Sequence, residues 1–104
     1  MIAFHEDHPA LRFWEQDGAY HLDVREYLRQ GGRPYSLLLG CVRQMAPGDS
    51  FVVHSLFDPQ PLRRQFARMG LLQELTQLEP EHWCLTVRLD AARPEPMVPE
   101  PAGP

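Results

Sequence analysis

The stretch Gly31-Gly32-Arg33-Pro34-Tyr35 joins residue types that can bind an anion. A helix opening at Pro34 would present unpaired N–H groups and the positive end of its dipole. Arg33 would add a planar fork suited to a carboxylate, phosphate or sulfate-like group. The two glycines would let a ligand approach the backbone, and Arg25 or Arg29 could reach the same place. The plain alternative is a surface arginine beside an ordinary glycine turn. A second chemistry is offered by the histidines. In His5-Glu6-Asp7-His8, two imidazoles three residues apart could share a metal on one helical turn. The second histidine comes too early for the His-Glu-x-x-His zinc motif.

A further metal set is conceivable. His21, His54, His82 and Cys84 would converge if all four faced the same side of a sheet, although alternation leaves the direction of His54 open. The alternative for both histidine sets is a solvated segment and a polar sheet face. Cys41 lies on an apolar helical stripe and reads as a small core residue. Cys84 lies on the polar side of a strand with Arg88 four residues on, so it is the candidate for redox or sulfur-carrying chemistry.

Composition narrows the classes. The chain has 104 residues, 43% of them hydrophobic, which suits one globular domain. All ten cationic side chains are Arg, which excludes a Schiff-base lysine and the lysine of a phosphate loop. A net charge of −4 argues against non-specific nucleic-acid binding. Arg63, Arg64 and Arg68 form a basic helix face that is solvated or steers an acidic partner. There is no Ser/His/Asp arrangement, dinucleotide fingerprint or phosphate loop, so the chain reads as a non-enzyme needing no cofactor. No apolar run reaches membrane-spanning length, and Met1–Asp7 lacks the features of a secretory signal. The expectation is a cytoplasmic protein without a disulfide.

The elements that must position these residues follow from periodicity. Tyr20–Val24 alternates as a strand. Leu37, Leu38, Cys41, Val42 and Met45 form the stripe of a helix that Pro34 opens and Pro47-Gly48-Asp49 ends. Ser50–Leu56 is a β-branched and aromatic strand. Asp58 and Pro59 open a second helix with Leu62, Phe66 and Met69 inward and Gly70 at its end. Leu71–Leu78 and Glu81–Leu89 are strands joined at Glu79-Pro80. The expected order is β-α-β-α-β-β: an α+β two-layer sandwich, a four-stranded mixed sheet with two helices on one face and the other face bare. Residues 1–19 form a polar N-terminal extension, 20–90 the domain, and 91–104 a proline-rich tail expected to be extended and mobile.

Leu22-Asp23-Val24-Arg25, Asp58-Pro59-Gln60-Pro61-Leu62-Arg63-Arg64-Gln65-Phe66 and Pro80-Glu81-His82-Trp83 carry a resemblance. Together they look like a bacterial domain family of unknown function related to the TusA/SirA sulfur carriers. In the carriers a persulfide-bearing cysteine precedes the helix-opening proline. Arg33 stands there in this chain, so the resemblance implies the fold without the carrier chemistry. It also implies, by association, a role near redox or nitrogen-oxide metabolism. The function expected on this basis is a non-catalytic accessory module holding a small anion or a protein partner through Arg33, Gly31, Gly32, Tyr35 and Arg25. The alternatives are a cysteine-based carrier or redox protein, and a metal-binding domain.

Overall fold

Alternation of apolar residues builds a five-stranded sheet. In the computed structural model, which describes residues 2–4 and 8–90, the strands are β1 (Arg12–Gln16), β2 (Ala19–Asp23), β3 (Ser50–Ser55), β4 (Leu72–Glu79) and β5 (His82–Arg88). Their spatial order is β1-β2-β3-β5-β4. Only β2 and β3 are parallel; the other neighbours are antiparallel. The helices are α1 (Arg25–Arg29), α2 (Tyr35–Val42) and α3 (Gln60–Arg68). The class is α+β with a mixed sheet, as expected.

Register decides which side chains share a face. Phe13, Leu22, Val53, Leu85 and Leu75 form one cross-strand row. They join Leu38, Cys41 and Val42 of α2 and Leu62 and Phe66 of α3 in a single core, with Tyr27 and Leu28 of α1 packed at its edge. Each fully buried Phe or Leu in this core contributes roughly 1.5–3 kcal/mol. The adjacent row, Arg12, Asp23, His54, Cys84 and Thr76, therefore projects to the opposite side.

The expected strand count of four is corrected to five. β1 arises within residues 1–19, where mixed composition hid it. Its hairpin to β2 turns at Asp17 and Gly18, both with positive φ (53° and 79°). That Asp-Gly pair is the sequence signature of a tight hairpin. The segment before it is also docked. Ile2 is buried in the core, Ala3 and Gln44 exchange two hydrogen bonds at 2.8 Å, and Phe4 stacks on Phe13. Phe13 itself faces the helices, and Trp14 the open face.

The expected two helices become three. The third, α1, has five residues, too short for periodicity to reveal. It explains both glycines after it. Gly31 has φ +86°, a conformation glycine adopts without strain. Gly32 packs on Tyr27 so closely that an added Cβ would lie 2.5 Å from the ring. Gly32→Ala should therefore destabilise the fold by about 1–3 kcal/mol, because Tyr27 must leave its place. Urea denaturation checks this, and a loss below about 0.5 kcal/mol would mean Tyr27 is free to move.

Pro34 holds the N-cap position of α2. The helix ends at Val42, and tighter bonds from Gln44 N–H to Cys41 O and from Met45 N–H to Val42 O close its last turn. Asp58 does not cap α3 with its side chain. Its carboxylate instead accepts two 2.9 Å hydrogen bonds from Arg63 Nη1. Gly70 follows α3 with φ +77°, as a C-terminal cap requires. Among the described residues no helix is long and apolar enough to cross a membrane.

Candidate metal centre on the open sheet face

Three central strands bring four chemically active side chains together. His82 and Cys84 lie two residues apart on β5 and so share a face. Cys84 stands opposite His54 of β3, and β2 adds His21 from the next row. His54 Nδ1 lies 2.9 Å from His82 Nε2 and 3.4 Å from Cys84 Sγ. Cys84 Sγ lies 3.7 Å from His82 Nε2. These three donor atoms form a compact triangle, and each residue is only partly buried.

The triangle has the dimensions of a tetrahedral metal site. Bonds of about 2.0–2.1 Å to nitrogen and 2.3 Å to sulfur place N···N at about 3.4 Å and N···S at about 3.6 Å. The two N···S separations match closely, and the imidazoles need to part by about 0.5 Å to admit an ion.

Burial disfavours the charged forms of His54 and Cys84. Burial pulls the His54 pKa from 6.5 to about 4; Asp23 opposes this, while His21, His82 and Arg25 add to it. Burial likewise lowers His21, partly offset by Asp17. Burial raises the Cys84 thiol above its ordinary value, and the nearby Arg25 only partly counters it. A cysteine nucleophile needs a stabilised thiolate, which these surroundings do not supply. A bound cation would supply it.

One consequence concerns acid stability. The unfolded chain takes up a proton on His54 near pH 6.5, whereas the folded chain resists it to about pH 4. The lowered pKa thus costs nothing above pH 6.5, and the metal-free fold loses stability as pH falls from there toward 4. Denaturation midpoints at pH 7.5 and 5 check this against His54→Asn, whose decline should be smaller.

Around the donors, Asp23 is tied to Arg25. Arg25 Nη2 donates to Asp23 Oδ2 at 2.7 Å, and Arg25 Nε and backbone N–H both donate to Oδ1 at 3.0 Å. Burial alone would raise the Asp23 carboxyl, but these hydrogen bonds outweigh it and hold the pKa below its ordinary value. Trp14 stacks on both His21 and His54, with ring centroids 5.0 and 5.3 Å apart.

The other expected site residues lie elsewhere. Gly32, Arg33 and Tyr35 line a cavity of about 230 Å³ whose walls are mainly apolar: Val24, Leu28, Leu38, Val53, Phe57 and Leu62. Arg33 and Gly31 are exposed, and Gly31 does not line the cavity. Arg25 turns away to Asp23. His5 lies outside the described residues. His8 Nδ1 accepts a 3.0 Å hydrogen bond from Ala10 N–H, and its ring packs edge-on against Tyr27. Cys41 is buried in the core, and burial pushes its pKa up to about 11. Arg63 is held by Asp58, and Arg68 donates to Gln65.

The His54, His82 and Cys84 cluster leaves a partial sequence signal. His82-Trp83-Cys84 in an alternating strand shows two candidate donors on one face. His54 is obscured because β3 is apolar on both sides, with Val52 as well as Phe51 and Val53 buried.

Residues 21–88 match a family described as an uncharacterized conserved protein, DUF2249, and the chain belongs to that family. The match includes His21, His54, His82 and Cys84 and excludes β1. No curated protein and no solved structure matches the chain.

Proposed function

We propose that this member of the DUF2249 family is a metal-binding module in which His54 Nδ1, His82 Nε2 and Cys84 Sγ hold one transition-metal ion. The observation that carries the proposal is the triangle of donor atoms at 2.9, 3.4 and 3.7 Å on one sheet face. Two imidazoles and a thiolate suit zinc, copper or iron better than calcium or magnesium. Three protein ligands leave a fourth position for water or a small ligand, the pattern of reactive rather than structural sites.

Titration of the metal-free protein with cobalt(II) tests the proposal. One ion per chain should bind, with the near-ultraviolet charge-transfer band of a cobalt–thiolate bond. Metal should also protect Cys84 from alkylation. No saturable band, together with an unprotected Cys84, would refute it.

A second function follows from the cavity at the start of α2. Arg33 stands at its rim and has no ion pair among the described residues, so a small carboxylate with an apolar body would satisfy both features. A role as an anion-binding accessory module with a protein partner then rests on Arg33 and Tyr35. Amide NMR shifts confined to residues 31–36 on adding a small aromatic carboxylate, and lost in Arg33→Ala, would support it. Their absence would remove it.

A further inference from the structure

Resting on the metal site proposed above, we infer that His21 is its positioning residue: it selects the one tautomer of His54 that can bind the ion. His54 has both ring nitrogens engaged. Its Nδ1 faces His82 Nε2 at 2.9 Å, and its Nε2 faces His21 Nδ1 at 3.0 Å. A neutral imidazole carries one ring proton, so the two ends are coupled. If His54 holds its proton on Nε2 and donates to His21 Nδ1, then His54 Nδ1 is a bare lone pair aimed at the triangle. If His21 Nδ1 were the donor instead, the His54 proton would sit on Nδ1 and occupy the metal's place. An acceptor at His21 Nδ1 therefore keeps the site open to metal.

The surroundings hold the His21 ring in place beside His54. Trp14 lies nearly parallel to its ring, with an interplanar angle of 10° and a centroid distance of 5.0 Å. Trp14 also covers His54, so one indole holds both rings in register. His21 pairs in register with Trp14 on β1 and Val52 on β3, so both neighbouring strands hold its backbone. It lies outside the donor triangle, and its contribution passes through His54. Metal-bound histidines commonly need such an outer hydrogen-bond partner.

The test uses two substitutions and zinc(II) as the probe. His21→Phe keeps an aromatic ring against Trp14 but has no acceptor. His21→Asn places an amide oxygen near the position of Nδ1 and can accept. Zinc affinity should fall roughly tenfold to a hundredfold in His21→Phe and stay within about threefold of wild type in His21→Asn. Nitrogen-15 spectra of the imidazoles should place the His54 proton on Nε2 in the wild type and in His21→Asn. Far-ultraviolet circular dichroism verifies folding of each variant.

Equal affinity in all three proteins would overturn the inference while leaving the metal site intact. Equal loss in both variants would also overturn it, because the acceptor restored in His21→Asn would then restore no affinity. A His54 proton on Nδ1 in the metal-free wild type would do the same. Failure of the wild type to bind zinc would overturn both the site and the inference.

Discussion

Cys84→Ala should lower metal affinity by about two decades and abolish the cobalt–thiolate absorption band. Structural zinc sites with four ligands contribute about 10–16 kcal/mol in small peptides, so one ligand accounts for roughly 3 kcal/mol. Cys84 supplies the only anionic donor in the triad, so its loss also removes charge neutralisation. His82→Ala should cost a similar amount but leave the sulfur band visible at high cobalt. Cys41→Ala is the control. That side chain is buried in the helix-facing core, across the sheet from the triangle. Its removal should leave affinity unchanged, as measured by competition with a chromophoric chelator. An undiminished affinity in Cys84→Ala would exclude the proposed ligand set.

Phe66→Ala should produce the largest loss of stability, about 3–5 kcal/mol. Phe66 is wholly buried and brings α3 onto the core with Phe51, Val53 and Leu85. Stabilities of about 0.05–0.15 kcal/mol per residue give a domain of this size roughly 5–15 kcal/mol, so this single change consumes a large fraction. Phe66→Leu keeps most of the apolar volume and should lose less than half as much. Urea denaturation of the metal-free proteins measures both. A cost below about 1 kcal/mol for Phe66→Ala would mean that the α3 face is not part of the core.

The residues expected to bind an anion are placed apart in space for reasons that lie in the local fold. Gly31 and Gly32 suggest a backbone laid open for a ligand. In the folded chain Gly31 supplies a positive φ after α1, and Gly32 accommodates the Tyr27 ring. Their conformational demands come from α1, whose five residues leave no usable period. Arg25 suggests reach toward the glycine turn, yet its guanidinium is committed to Asp23 two residues back.

Local sequence determined much of the scaffold. The period-two runs in β3 and β5, the helical stripes through Leu38–Val42 and Leu62–Phe66, and the glycine at position 70 each encode their element through short-range sterics and apolar spacing. The Asp17-Gly18 turn encodes the β1–β2 hairpin in the same way, even though mixed composition around it conceals β1. The inward direction of Leu85 and Val87 follows from alternation alone, and so does the shared face of His82 and Cys84.

Only the tertiary structure decided which side chains converge at the proposed metal site. β3 is apolar on both faces, so its own sequence cannot say which way His54 points. The direction is settled by its pairing with β5, which sets His54 opposite Cys84, and by its parallel pairing with β2, which brings His21 within 3.0 Å. Those registers join residues about thirty positions apart in the chain. No periodicity within one segment can specify such a separation. It is fixed when the helix-facing row packs into the core and the opposite row is thereby left to converge on the other face.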